Sequence, residues 1–193
     1  MLQIVQHQKT GELTVVELPA PICLENGILV KTHYSLISAG TEKTSVEKAK
    51  ASLLERARQQ PEDMKLVMDF LKRDGISSTL KRVKNKLNSY KTLGYSLSGE
   101  VLESKCDEFK VGDLVACGGA NLALHSEIIT VPKNLAVKIP QNVSLEDAAY
   151  TTLGSIAMQG VRQADVRLGE NVAVIGLGLL GQITVQLLVA SGV

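Results

Sequence analysis

The stretch NVAVIGLGLLGQITVQLLVASGV, residues 171–193, constrains this chain more than any other. It opens with a β-branched, apolar run over residues 171–175, the pattern of a strand covered on both faces. Gly176, Gly178 and Gly181 follow in G-x-G-x-x-G spacing, and an apolar helix begins near Leu179. The first glycine permits a tight turn, the second lets the backbone approach a pyrophosphate, and the third lets helix pack closely on strand. Free N–H groups and the helix dipole favour an anion at that helix start. The turn therefore predicts a dinucleotide site built from Gly176, Leu177, Gly178, Leu179, Leu180 and Gly181. The alternative is a glycine-rich strand–helix crossing with no ligand.

That site is expected to be incomplete. A strand as apolar as VAVIG does not remain with both edges bare, and the sequence supplies one such strand and one helix. The acidic or basic residue that selects NAD or NADP stands roughly 20 residues past the glycines. The 193 residues are accordingly read as a fragment, inactive alone, with the choice between NAD and NADP left open.

Upstream the texture changes twice. Residues 1–42 and 98–139 carry short strand patterns with turn signals between them, among them Asn26-Gly27 and KVGD, which argues for a compact barrel-like β-domain. Between them, about residues 44–91, lies a helical insert. Thr44 and Glu47 form a capping box, after which Val46, Ala49, Leu53 and Ala57 share a face. Pro61 suits the first turn of a second helix with the stripe Met64, Val67, Met68 and Leu71, and Gly75 suits its C-cap. A third helix carries Leu80, Val83 and Leu87 inward and Lys81, Arg82, Lys84 and Lys86 outward. Those cations read as a solvated face; docking of an acidic partner or phosphorylated substrate is the sharper alternative.

Composition narrows the function classes. A formal net charge of +1 gives no electrostatic reason for a nucleic-acid or anionic-membrane partner. The N-terminal residues show no secretory pattern, and no run approaches the roughly 20 apolar residues of a membrane helix. Three cysteines without CxxC spacing favour reduced thiols and a cytoplasmic location.

The order of parts resembles a known superfamily. ILVKTHYSLISAGTE, LGYSLSGEV, FKVGDLVA and HSEIITVPKNLAVKIP, followed by SLEDAAYTTLGSIAMQGV and LGENVAVIGLGLLG, are similar to the medium-chain dehydrogenase/reductases, the superfamily of the zinc alcohol dehydrogenases. The resemblance implies an α+β to α/β chain: a GroES-like β-barrel catalytic domain over residues 1–150 with the helical insert, then a linking helix and the first βα unit of a Rossmann fold over residues 151–193. SAGTEKTSVEKAKASLLERARQQP before LGYSLSGEV is further similar to bacterial bi-domain oxidoreductases, in which a glucose-fructose-oxidoreductase-like half follows. By resemblance the complete protein acts on a small-molecule substrate and is a homo-oligomer.

The departures from that pattern shape the expected chemistry. Where zinc members place a cysteine and a histidine, this chain has Ala39 before Gly40-Thr41-Glu42, and Tyr95 in Gly94-Tyr95-Ser96. Alanine and serine cannot replace a thiolate, tyrosine is a poor zinc ligand, and the four-cysteine structural lobe is absent. His7, His33 and His125 do not rescue a site, so no zinc is expected. A zinc-free route needs side-chain acids or hydrogen-bond donors. The candidates are Tyr95 as proton donor, Thr41 and Glu42 as substrate or orienting groups, and Thr151 and Ser155 as residues near the nicotinamide. Each has a plainer reading: Tyr95 as filler of the lost metal site, the helix residues as N-caps. The sequence thus points to a zinc-independent NAD(P)-dependent oxidoreductase, with a non-catalytic nucleotide-binding regulatory or scaffold module as the alternative.

Overall fold

The structure, a computed structural model, describes residues 1–50 and 61–193. Its strands are β1 (Leu2–His7), β2 (Leu13–Glu17), β3 (Gly27–Ser35), β4 (Tyr90–Thr92), β5 (Ser96–Ser104), β6 (Leu114–Gly118), β7 (Ile128–Pro132) and β8 (Ala136–Lys138). Its helices are α1 (Ala39–Lys50), α2 (Pro61–Leu87), α3 (Leu145–Ala148), α4 (Thr151–Gln163) and α5 (Leu179–Ala190). The chain divides into two compact units, one of Met1–Leu2, Leu18–Ser38 and Gly94–Val193, the other of Gln3–Glu17 and Ala39–Leu93.

The larger unit is built on a five-stranded antiparallel sheet in the order β7-β3-β5-β6-β8. The two longest strands lie side by side because both alternate apolar residues toward one face, pairing Val30 with Val101. Ile28, Val30, Leu97, Val101, Val115 and Val131 are fully buried there, each worth roughly 1.5–3 kcal/mol of transfer free energy. On β5 the opposite face is buried too, but it presents Ser96 and Ser98. The helical segment after β8 takes up those hydroxyls. It starts where Ser144 caps α3 by accepting the Asp147 N–H at 3.0 Å. α4 follows, burying Leu153 and Ala157 and packing on β6 and on α5.

Of the expected βα unit, the helix α5 is present and residues 171–177 form no ladder; Ile175 is 99% exposed. A strand is a property of a pair, and among the described residues none pairs with this run.

The smaller unit has a three-stranded sheet, β2-β1-β4, in which His7 faces Tyr90 with their rings edge-on at 5.3 Å. Its helices correct two expectations. α1 begins at Ala39, so Thr44 lies inside the helix, and its hydroxyl donates back to the Gly40 carbonyl at 2.7 Å instead of capping. Leu53 and Ala57 lie outside the described residues. α2 opens at Pro61 as expected, and Gly75 (φ 78°, ψ 171°) interrupts it. Past the break Val83 and Leu87 are half-buried and the four cations exposed, as expected, but Leu80 is 63% exposed and Thr79 is buried instead. A polar knot lies at the break. Asp74 pairs with Arg73 at 3.0 Å and Arg82 at 3.1 Å, and both guanidinium groups lie over the Phe70 ring. Met64, Met68 and Leu71 are likewise exposed rather than inward. Among the described residues no helix is long and apolar enough to cross a membrane.

Candidate functional site

The glycine turn before α5 assigns a distinct physical role to each of its three glycines. Gly176 has φ +96°, a conformation that L side chains rarely adopt. Gly181 answers a need for space: a Cβ there would lie 1.9 Å from the Gly176 carbonyl oxygen. Gly178 answers neither need, with ordinary extended backbone (φ −74°, ψ −170°) and nothing within 4 Å of where a Cβ would stand. The helix begins at this open position. No side chain caps α5, and the first intrahelical bond runs from the Gln182 N–H to the Gly178 carbonyl at 2.9 Å. The N–H groups of the preceding helical residues, Leu179, Leu180 and Gly181, therefore lie ahead of the ladder. The Gln182 amide donates to the Leu177 carbonyl at 3.2 Å and steadies the turn from inside. Together these give an open, uncapped, donor-rich helix start, the local form of an anion site.

Thr151 and Ser155 stand on α4, the helix packed against α5. Neither caps the helix. The Thr151 hydroxyl donates to the Ala148 carbonyl at 2.7 Å and the Ser155 hydroxyl to the Thr151 carbonyl at 2.9 Å. Both residues are exposed, with hydroxyl lone pairs left to accept.

Tyr95 is half-buried just before β5. Its carbonyl accepts the Gly119 N–H at 3.0 Å and the Thr152 hydroxyl at 3.4 Å. The preceding residue fixes the entry of the chain. Gly94 has φ +98°, and a Cβ on it would lie 2.6 Å from the His125 nitrogen. Thr41 and Glu42 fall within α1 of the smaller unit, whereas Tyr95, Thr151, Ser155 and the glycine turn belong to the larger.

Among the described residues the side chains bring no zinc site together. No group of three His, Cys, Asp or Glu among them could hold a metal, and by the motif resemblance Ala39 and Tyr95 stand where zinc enzymes carry ligands. Each histidine has other neighbours: His7 accepts from the Thr10 N–H at 3.2 Å, His33 lies 3.8 Å from Glu100, and His125 is buried with Nδ1 2.9 Å from the Ser35 hydroxyl. The buried thiols are poor ligands as well. Burial pushes Cys117 up to about 12, and burial with the nearby Glu103 charge raises Cys23, whose Sγ donates to backbone carbonyls.

Sequence reasoning passed over Ser96 and Ser98. Ser96 donates to the Ala149 carbonyl at 2.6 Å, and Ser98 to the Leu145 carbonyl. The signal was present in SLSGEV: hydroxyls alternate with Leu97 and Val101, so the strand's second face wants hydrogen-bond partners.

The chain is similar to known proteins. The chain is 39% identical over 103 residues to D-guloside 3-dehydrogenase of Shigella flexneri, an alignment covering 52% of this chain and 29% of the relative. The structure of galactitol-1-phosphate dehydrogenase from Escherichia coli superposes with a TM-score of 0.72 at 19% identity, covering 100% of this chain and 53% of the other. This is the medium-chain dehydrogenase/reductase fold. Escherichia coli quinone oxidoreductase complexed with NADPH shares it with a TM-score of 0.66 at 19% identity, over 100% of this chain and 50% of that one. By name two of these three proteins are dehydrogenases and one is a quinone oxidoreductase, and the chain spans about half the length of the two solved structures. No protein-family profile matches the chain.

Proposed function

We propose that this chain supplies the substrate-side domain and the diphosphate-binding turn of a zinc-independent NAD(P)-dependent oxidoreductase. One observation carries the reading. Gly178 opens an uncapped helix at a point where no internal contact requires a glycine, which leaves the approach of a ligand as its physical use. The likeness to dehydrogenases, and to a neighbour solved with NADPH, supports the same cofactor class.

Leu179, Leu180 and Gly181 would offer backbone N–H groups to the diphosphate, and the α5 dipole would favour its charge. A bound nicotinamide supplies the hydride chemistry. Thr151 and Ser155, their own protons engaged by the helix backbone, would accept hydrogen bonds from a neutral donor such as a carboxamide. The Tyr95 phenol is the group to hold or release a proton at the substrate oxygen; Thr41 and Glu42 enter as substrate or orienting groups by the resemblance alone. No step runs through zinc. The domain division at residues 150/151, homo-oligomerisation and a following glucose-fructose-oxidoreductase-like half belong to this proposal on the strength of the resemblance stated above.

The relative's name suggests the first substrates to try: sugar glycosides, then other secondary alcohols and quinones. The test is hydride exchange between NAD(P)H or NAD(P)⁺ and that panel in the complete protein, with elemental analysis beside it. Turnover without stoichiometric zinc is expected. Turnover that tracks about one tightly held zinc per chain overturns zinc independence. The loss of both ligand types at Ala39 and Tyr95 favours the second reading, a nucleotide-binding module without chemistry. NAD(P)H binding with no turnover on any substrate would decide for it.

A further inference from the structure

Two hydrogen bonds cross in opposite directions between the entry of β5 and the head of α4. The Ser96 hydroxyl donates from the strand to the Ala149 carbonyl at 2.6 Å. The Thr152 hydroxyl donates from the helix to the Tyr95 carbonyl at 3.4 Å. A third bond, from Ser98 to the Leu145 carbonyl, holds α3 to the same strand face. Ser96 and Ser98 are buried, so their hydroxyls have no water to fall back on. The sheet also makes room for the arrangement: a Cβ on Gly118 would stand 2.7 Å from the Thr152 hydroxyl.

Satisfying the carbonyls at the end of a four-residue helix accounts for Ser98 and for the acceptor of Ser96, since Ala149 is that helix's C-cap, but not for the return bond from Thr152. The Ser96 and Thr152 bonds taken together do more. Ser96 directly follows Tyr95, and its acceptor Ala149 stands two residues before Thr151. One bond would leave strand and helix free to pivot; two antiparallel bonds, reaching either side of the Tyr95–Ser96 peptide, remove that freedom. The segment carrying the phenol and the helix carrying Thr151 and Ser155 are thereby held in one frame.

We propose that Ser96 and Thr152 form a clasp that sets Tyr95 against the head of α4, with Ser96 a positioning residue for proton transfer at the Tyr95 phenol. The catalytic part of this inference rests on the oxidoreductase reading above; the clasp does not. Two variants of the complete protein test it. Ser96→Ala removes one donor. Thr152→Val removes the other while keeping volume at a half-buried site, so the test survives if the first variant folds poorly. Amide exchange of residues 149–155 should quicken about five- to tenfold in each, with the β3 and β7 amides unchanged. The turnover number should fall by about the same factor while the NAD(P)H Michaelis constant stays within about twofold. No local quickening, or quickening throughout the chain, overturns the clasp. Local quickening with an unchanged turnover number overturns the positioning role. A wild-type protein that transfers no hydride defeats the oxidoreductase reading, and the exchange measurement then decides the clasp by itself.

Discussion

Replacing Gly181 with alanine separates packing from ligand binding in the glycine turn. The new Cβ would stand 1.9 Å from the Gly176 oxygen and 2.9 Å from its carbon, both backbone atoms, so no flexible side chain can yield. To reach ordinary contact α5 must retreat by about 1.5 Å, an overpacking that costs roughly 1–3 kcal/mol. Alanine's better helix propensity returns at most about 1 kcal/mol, less in a first turn, so the clash wins. The melting temperature should fall by several degrees, at about 2–4 °C per kcal/mol for a chain of this size. In the complete protein the retreat also carries the N–H groups of Leu179 and Leu180 away from the diphosphate. NAD(P)H affinity, read by calorimetry, should weaken about ten- to hundredfold. Gly178→Ala is the control, because nothing lies within 4 Å of its Cβ. It should melt like the wild type and still lose affinity, since its methyl would occupy the space of the ligand. A Gly181→Ala protein with wild-type melting and affinity refutes the packing account. Unchanged affinity in Gly178→Ala refutes the ligand account.

Two further outcomes follow from local geometry. Gly94→Ala forces a side chain to φ +98° against the His125 and Leu124 backbone, and should destabilise by about 2 kcal/mol or more in denaturant titration. The Asp74 carboxyl lies below its ordinary range, chiefly because Arg73 hydrogen-bonds to it, with the Arg73 and Arg82 charges adding to the effect against partial desolvation. A depressed carboxylate contributes stability above its unfolded value of about 3.9 and loses it as pH falls through the folded value. Melting curves of the wild type and Asp74→Asn should therefore differ at neutral pH and converge below about pH 4.

What the sequence disclosed depended on whether the cause was local. The turn at residues 176–181 was legible because Gly176 and Gly181 answer to backbone conformation and sterics within six residues. The medium-chain fold was legible from the order of its motifs. The start of α1 was misread because a threonine hydroxyl can cap a helix or bond back to the carbonyl four residues earlier; Thr44 does the latter. After Gly75 only Leu80 was misread: Thr79 is buried in its place, with its hydroxyl donating to the Gly75 carbonyl, a bond that apolar spacing does not disclose. Ser96 was passed over because its acceptor, Ala149, lies 53 residues away.

The same distinction bears on residues 172–175, the most strand-like run in the sequence and one without a ladder in the structure. Its side chains specify an extended, doubly covered strand, yet protection of its amides depends on a neighbour. The helix after it differs, since α5 closes its own bonds, from Gln182 to Gly178 onward. In this 193-residue chain the amides of residues 172–175 should exchange within about tenfold of unfolded rates, while those in the middle of α5 are slowed by orders of magnitude. A longer form of the protein that adds a parallel strand should slow the 172–175 amides to match the helix, because every second one gains a ladder acceptor. Strong protection of residues 172–175 in the 193-residue chain would show that a partner, such as another copy, already pairs with this run. Equal exposure in the longer form would show that VAVI is not a sheet strand, and the dinucleotide reading of the turn would lose its structural context.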